Sequence, residues 1–258
     1  MDIGIKDQLF IVGGATSGFG YAIATALIKE DAKIIAVARS KEKLEALQKT
    51  APAQVQIVAG DISQEETQKQ IISAINGKQL HGALINAGGP PAKTFLETSL
   101  QDWDNAYQSI LRWKVALTQA LVPLMKPHSY GRLVYIESSS VKQPLENLVL
   151  SNSLRVAVVG FVKTLSQEIA KSGITLNVMG PGSHDTPAIE RIYNKKAEQT
   201  GISVQDAREK GIQQIPVGRL GRAEDFASLA CWLLSPASGY ITGQTISVDG
   251  GVVKGIFG

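Results

Sequence analysis

The sequence is poor in the residues that mark secreted or membrane-embedded chains. Its 258 residues include one cysteine, Cys231, so an internal disulfide is impossible. The apolar residues around Cys231 favour a buried thiol over a nucleophile. The N-terminus lacks the charged-then-apolar pattern of a signal peptide, and the apolar runs fall short of the about 18 residues that a membrane span needs. We therefore expect a cytoplasmic protein with no membrane partner.

An excess of charge of one sign is also missing. The 26 basic and 23 acidic residues give a net charge of +3, and no run of Lys or Arg is longer than a pair. A nucleic-acid partner is therefore not expected, since such proteins present concentrated basic surface. We expect no bound metal either. A hydrophobic content of 44% suffices for one substantial core, so residues 1–258 are predicted to form a single domain.

Seven short, mostly apolar runs alternate with helix-length amphipathic segments. Near-continuous apolar strands are typical of a parallel sheet buried on both faces, and the alternation predicts an α/β fold with a doubly wound sheet. Ligands of such sheets bind beyond the carboxyl ends of the strands. A polar, helix-prone stretch, residues 187–216, departs from this rhythm and is either a lid over the pocket or a surface excursion. The predicted strands are Leu9 to Val12, Ile34 to Ala38, Val55 to Ala59, Ala83 to Asn86, Arg132 to Ile136, Ile174 to Val178 and Thr245 to Val248.

A glycine-rich turn, Gly13-Gly14-Ala15-Thr16-Ser17-Gly18-Phe19-Gly20, follows the first strand and opens a helical pattern. Such a turn could be no more than a tight bend, but its place between the first strand and first helix favours dinucleotide binding, because backbone amides there can approach a pyrophosphate. The second strand ends at Arg39 and Ser40, without the acidic residue that usually binds the ribose of NAD. Arg39 is either a solvated helix-start residue or a partner for a 2′-phosphate, and we expect NADP(H) to be preferred over NAD(H).

Five motifs in order resemble those of the short-chain dehydrogenase/reductase family, and the chain also resembles 3-oxoacyl-(acyl-carrier-protein) reductase-like proteins of that family. They are Gly14 to Gly20, Asp61-Ile62, Asn86-Ala87-Gly88, Asn177 with Pro181-Gly182 and Thr186, and the C-terminal Tyr240 to Gly251. The resemblance covers nearly the whole chain and implies a Rossmann-type fold with helices on both faces. Together with Arg39 and Ser40 at the end of the second strand, the predicted cofactor-binding residues are those that the resemblance implies, namely Gly14, Thr16, Ser17, Gly18, Phe19, Asp61, Ile62, Asn86, Ala87, Gly88, Arg155, Pro181, Gly182 and Thr186.

The same resemblance implies an altered catalytic set. Ser138 matches the catalytic serine, although it could be one polar residue of the Ser138-Ser139-Ser140 loop. Ser151 and Arg155 stand where the family keeps its Tyr and Lys, and Ile110 stands where it keeps an Asn. A positioned acid or base supplies about 10² to 10⁴ in rate, which an aliphatic hydroxyl such as Ser151 cannot copy. Arg155 stays charged and could bind the ribose, whereas Ser151 and Ser153 could simply cap a helix.

Two functions of different kinds remain open. One is an atypical NADP(H)-dependent oxidoreductase acting on a small carbonyl or alcohol substrate, with Ser138, Ser151 and Arg155 at its centre and a proton arriving by a non-standard route. The other is a catalytically inactive cofactor-binding sensor or structural subunit. A substrate carrying its own acidic group is a weaker third idea. The candidate proton donors are Glu137, Tyr135, Lys142 and His184.

The helix expected from Ser151 to Lys171 is apolar around most of its circumference. Such a helix must be buried on more than one side. One side can pack on the sheet, and the other then needs a partner subunit. The family resemblance implies contacts between subunits through this helix and the long one before it. We therefore expect a homodimer or a homotetramer. The identity of the substrate is not readable from the sequence.

Overall fold

The computed structural model describes residues 2–256, so the ends of the predicted domain, Met1 and Phe257-Gly258, lie outside the described residues. Within residues 2–256 seven parallel strands form one sheet in the order β3-β2-β1-β4-β5-β6-β7. The strands are β1 Leu9–Gly13, β2 Lys33–Ala38, β3 Val55–Ala59, β4 Gly82–Ile85, β5 Gly131–Ile136, β6 Ile174–Pro181 and β7 Thr245–Val248.

Helices link successive strands and lie on both faces of the sheet. Within the described part of the chain, the α-helices are α1 Gly18–Lys29, α2 Lys41–Thr50, α3 Glu65–Ile75, α4 Leu100–Ala106, α5 Trp113–Met125, α6 Val149–Ile169, α7 Pro187–Thr200, α8 Val204–Gln213 and α9 Ala223–Leu234. The predicted doubly wound α/β sheet is confirmed. Each of the seven predicted strands is present, although β6 runs on to Pro181 because that residue still pairs with Val248 of β7.

Alternate residues of the strands point to opposite faces of the sheet and belong to two separate cores, as expected for a sheet covered on both faces. Ile11 belongs to a core that includes Trp113 of α5, whereas its neighbour Phe10 belongs to a core that includes Phe226 of α9. Cys231 lies in the second core, where burial raises the pKa of its thiol to about 12. The prediction that Cys231 is a buried thiol is confirmed.

The predicted lid, residues 187–216, contains α7 and α8. These helices form a third, smaller core with Ile189 and Tyr193 facing Ala207. Their contact is close, because a Cβ added to Gly211 would lie 2.5 Å from the Tyr193 hydroxyl oxygen. The segment is therefore a packed pair of helices rather than an irregular loop.

The long helix expected between β4 and β5 is interrupted. A π-helical segment, Tyr107–Arg112, joins α4 to α5 and contains the buried Ile110. Gln68 of α3 donates to the backbone carbonyl of Trp113 (3.1 Å) and to that of Ile62 (3.1 Å), so it ties α5 to the loop after β3. π-Helical turns are rare and often lie at functional sites. The apolar pattern of residues 107–112 does not indicate this one.

Helix α6 begins at Val149, two residues before the predicted start. Its N-cap residue is Leu148, which makes no side-chain capping hydrogen bond. The capping role considered for Ser151 is wrong, because Leu148 is the N-cap and Ser151 lies inside the first turn, where its hydroxyl oxygen accepts from Arg155 Nε at 3.0 Å. Among the described residues one helical stretch, Val149–Ser172, is long and apolar enough to cross a membrane by length and composition. Its length and composition are weak evidence for a membrane span, since core helices of soluble proteins share them.

Candidate active site

The site lies where the direction of the chain through the sheet reverses. β1 lies between β2 and β4. From β1 the chain adds β2 and β3 on one side of the sheet, and then β4 to β7 on the other side. In open α/β sheets the crevice outside the carboxyl ends of the strands at such a point binds ligands. The segments that follow β1, β4, β5 and β6 carry most of the residues that the sequence singles out.

The glycine-rich turn after β1 forms one wall of this crevice. Gly14 and Gly18 have φ values of +68° and +51°, which favour glycine. Ser17 is the N-cap of α1 but makes no side-chain capping bond, and the first turn of the helix holds no acidic residue. The first amides of α1 therefore remain available to an anion, with the helix dipole in support. The half-buried Thr16 and exposed Ser17 complete a cradle that fits a pyrophosphate.

The loops after β3 and β4 pack against this turn. Asn86 Nδ2 donates to the carbonyl of Gly13 (3.2 Å), and a Cβ added to Gly14 would lie 2.7 Å from that nitrogen. Ile62 Cδ1 lies 3.0 Å from the position that a Cβ on Gly13 would take. Asp61 accepts from the backbone and hydroxyl of Ser63 (3.0 and 2.7 Å), which fixes its carboxylate. Ala87 and Gly88 follow Asn86 at increasing exposure.

The segment after β6 closes the other side. The methyl group of Thr186 lies 3.9 Å from the position that a Cβ on Gly18 would take. Pro181 ends β6, and Gly182 packs so closely on Asp249 that a Cβ would lie 2.7 Å from its Cα. Asn177 has a different task. Its side chain binds Ile241 O and Gln244 N (2.9 and 3.1 Å), which fastens the C-terminal segment to β6.

The end of β2 presents basic rather than acidic side chains. Arg39 is exposed there, and Ser40 caps α2 through a long hydrogen bond from Lys43 N (3.4 Å). The backbone amide of Ala15 donates to the carbonyl of Val37 (3.2 Å), which joins the glycine-rich turn to this strand. An anionic group extending from the turn toward β2 would therefore meet Arg39.

Ser138 follows β5 and starts a short turn, Ser139–Val141, that packs on α6. Its hydroxyl oxygen accepts the backbone N–H of Ser140 at 3.1 Å. That bond fixes the oxygen through a lone pair and does not consume the hydroxyl proton. Ser138 can therefore still donate a hydrogen bond to a ligand.

Arg155 and Ser151 lie one helical turn apart on α6 and are hydrogen-bonded. Arg155 Nη1 also binds Glu137 Oε2 at 2.9 Å, and Lys114 of α5 binds Glu137 Oε1. From the sequence, Glu137 is expected only as a proton donor, and Lys114 is not expected at the site. A lysine close to the start of an apolar helix was the one available signal.

Comparison with known proteins identifies the fold and chemistry. A family model described as enoyl-(acyl carrier protein) reductase matches residues 14–253. The chain belongs to the short-chain dehydrogenase/reductase family. The relatives that it matches are reductases, and this chain is an oxidoreductase.

Individual relatives cover almost the whole of this short-chain dehydrogenase/reductase. The NADPH-dependent reductase BacG of Bacillus subtilis is 31% identical over 259 residues, 97% of this chain and 99% of the relative. The 3-oxoacyl-(acyl-carrier-protein) reductase FabG of Thermotoga maritima is 30% identical, over 96% of this chain and 99% of the relative. The crystal structure of L-sorbose reductase from Gluconobacter frateurii, complexed with NADPH and L-sorbose, matches with a TM-score of 0.92, 27% identity and coverage of 99% and 100%.

The side chains considered as proton donors are committed to other contacts in this reductase. Tyr135 shares a hydrogen bond with Thr118 (2.8 Å), and burial raises the pKa of its phenol far above the ordinary value. Burial lowers the pKa of His184, whose ring packs edge-on against Phe19 with centroids 4.9 Å apart. Glu137 is held by its two cationic partners. Lys142 lies half-buried just beyond the Ser138 turn.

Proposed function

We propose that the protein is an NADP(H)-dependent oxidoreductase that interconverts a small carbonyl compound and its alcohol without a tyrosine acid. The observation that carries this proposal is the placement of Arg155. Its Nε binds Ser151, its Nη1 binds Glu137 beside Ser138, and its Nη2 lies against Gly89, one residue beyond the Asn86-Ala87-Gly88 segment. One guanidinium thus connects the proposed cofactor wall to the Ser151 hydroxyl and to Glu137, the residue before Ser138.

The cofactor assignment has two supports. Arg39 is exposed at the end of β2, where a guanidinium can bind a 2′-phosphate with paired, charge-assisted hydrogen bonds. Two relatives are an NADPH-dependent reductase and a reductase solved with NADPH. The cradle formed by the glycine-rich turn and the uncapped start of α1 would hold the pyrophosphate. Asp61 and Ile62 would flank the adenine, and Thr186 and Pro181-Gly182 the nicotinamide.

When bound, the nicotinamide supplies or removes the hydride. The protein's own part is electrostatic. Ser138 donates a hydrogen bond to the substrate oxygen, and Ser151, whose oxygen already accepts from Arg155, donates the second. The fixed positive charge of Arg155 stabilises the negative charge that develops on that oxygen during reduction. Neither hydroxyl is acidic enough to replace a phenol, so the proton that completes the alcohol comes from water or from the substrate itself.

Arg39→Ala tests the function and its cofactor together. The wild-type protein is expected to oxidise NADPH with at least one member of a panel of small ketones, sugars and 3-oxoacyl thioesters. The variant should lose about 10-fold to 100-fold in kcat/KM for NADPH, as expected when a charged hydrogen-bonding pair is removed, and keep its value for NADH. Lys49→Ala, which removes one charge from the far end of α2, is the matched control. Equal losses with both cofactors would overturn the role of Arg39.

We also propose a cytoplasmic homodimer or homotetramer that associates through α5 and α6. Val156 on α6 is 47% exposed and Leu124 on α5 is 36% exposed, and both lie outside the described cores. Val156→Glu is expected to lower the mass measured by light scattering at micromolar concentration, because a charge would be buried in the contact. Val204→Glu, at a similarly exposed valine of α8, should leave the mass unchanged. A monomeric wild-type protein would contradict the proposal.

A further inference from the structure

Three charged side chains from different elements meet in the interior beside the proposed site. Glu137, just after β5, is fully buried and lies between Lys114 of α5 and Arg155 of α6. The Lys114 and Arg155 side chains are only 4% and 11% exposed. Each cation binds a different oxygen of the carboxylate, so Glu137 bridges two helices that have no other ion pair between them in the described residues.

The arrangement is costly as a device for stability alone. Three buried ionic groups lose their hydration, and the attraction between them returns that loss only in part. Two basic side chains share a single carboxylate. Burial lowers the pKa of Lys114, and the Glu137 carboxylate opposes that shift. Apolar side chains of similar volume would hold α5, β5 and α6 together at lower cost.

The geometry around Arg155 gives the cluster a purpose. A guanidinium is planar and presents its donors in a rigid fork. Two corners of this fork are fixed, Nε on Ser151 Oγ (3.0 Å) and Nη1 on Glu137 Oε2 (2.9 Å). The third corner, Nη2, then faces Gly89, where a Cβ would lie only 2.8 Å away. A glycine there leaves room for the guanidinium beside the loop after β4.

We infer that Glu137 is a positioning residue, which fixes the plane of the Arg155 guanidinium so that Nη2 faces the cofactor wall and Nε polarises Ser151. Lys114 holds the second carboxylate oxygen and prevents Glu137 from rotating. The part of this inference that concerns what Arg155 does in the reaction rests on the proposed function. The part that concerns how Arg155 is oriented does not. Orientation is a property of the ligand-free protein.

The orientation is tested first without any cofactor. The Arg155 Nε–H, donated to Ser151 inside the protein, should give a slowly exchanging signal in ¹⁵N NMR spectra, identified by its loss in Arg155→Met. Lys114→Met/Glu137→Gln removes one basic and one acidic side chain together. Arg155 then loses its carboxylate, so exchange of that proton should accelerate about 10-fold or more as its protection is lost. Thr118→Val removes a buried hydroxyl of the same core, with its bonds to Tyr135 and to the backbone carbonyl of Lys114, but leaves the Lys114 and Glu137 side chains in place. It serves as the structural control and should leave the Arg155 signal intact.

A double-mutant cycle then separates positioning from general damage. Glu137→Gln should lower kcat/KM for NADPH oxidation about 10-fold or more when Arg155 is present, but less than about twofold when Arg155→Met is already in place, since coupled residues are not additive. Activities are compared per mole of folded protein. Equal losses with and without Arg155→Met, or an unchanged Nε–H signal in the Lys114→Met/Glu137→Gln variant, would overturn the inference. A wild-type protein that protects the Nε–H but neither binds nor oxidises NADPH would overturn the proposed function and leave the positioning role standing.

Discussion

Replacing Ser138 with alanine is expected to lower kcat/KM for carbonyl reduction about 10²-fold to 10³-fold, the loss typical when one donor to a developing oxyanion is removed. The effect should be large here because Ser138 and Ser151 are the only hydroxyl donors we assign to the substrate oxygen. Ser138 Oγ is also fixed by the Ser140 N–H at 3.1 Å. Its hydroxyl is therefore oriented before the substrate arrives. The dissociation constant for NADPH should stay within about twofold, since the group acts on the substrate in the transition state.

Ser140→Ala is the matched control for this experiment. Ser140 is a buried serine of the same turn, and its hydroxyl oxygen has no hydrogen-bond partner among the described residues. Its removal should leave kcat/KM nearly unchanged, because no assigned bond is lost. Wild-type turnover that survives Ser138→Ala would make Ser138 an ordinary loop residue. NADPH binding with no oxidation across the whole panel would favour a cofactor-binding sensor.

The sheet was predictable from the sequence because each strand carries its own signal. Runs such as Leu9–Gly13 and Gly131–Ile136 are buried at every position, so an almost unbroken apolar stretch marks them without knowledge of their neighbours. The walls of the cofactor cradle are predicted from short stretches of sequence in nearly the same way. Each lies within a few residues of the end of a strand, and parallel strands bring these ends to one edge of the sheet.

The charge cluster was not predictable in the same way. Lys114 and Glu137 are 23 positions apart, and Glu137 and Arg155 are 18 apart. A lysine in an apolar helix is ordinarily interpreted as a side chain that extends its charge to solvent. Only the packing of α5 against β5 shows that this one is buried. The hydrogen bond from Gln68 to the backbone carbonyl of Trp113 is similarly hidden, because it depends on α3 lying alongside α5.

The start of α6 shows how a local rule can mislead. Serines close to a helix start usually cap its amides, and that reasoning applied to Ser151. The helix instead begins at Val149 behind Leu148, which puts Ser151 inside the first turn with its hydroxyl on Arg155. A residue four positions further along the same face competes for the oxygen that a cap would use. Ser151 and Arg155 are close in sequence, but the hydrogen bond between them replaces capping only because Glu137 holds Arg155 in place.

Gly20→Ala is expected to abolish NADPH binding at concentrations that saturate the wild-type protein. A Cβ on Gly20 would lie 2.3 Å from the carbonyl oxygen of Gly14 and 2.7 Å from that of Gly13. Both contacts are with backbone, so no side chain can rotate away, and α1 must move off the glycine-rich turn. Overpacking of this kind costs about 1–3 kcal/mol of folding stability and occasionally more. The amides at the start of α1 would leave the pyrophosphate position at the same time.

Gly255→Ala separates this effect from the general consequence of adding a methyl group to a glycine. No heavy atom of the described residues lies within 4 Å of a Cβ built on Gly255, so that variant should bind NADPH and unfold in urea like the wild type. For Gly20→Ala the two measurements should fall together, because one displacement of α1 causes both. A variant that is destabilised yet binds NADPH with wild-type affinity would show that the cofactor phosphates do not rest on this helix. The basis for assigning the glycine-rich turn to the cofactor would then be lost, whatever the family resemblance implies.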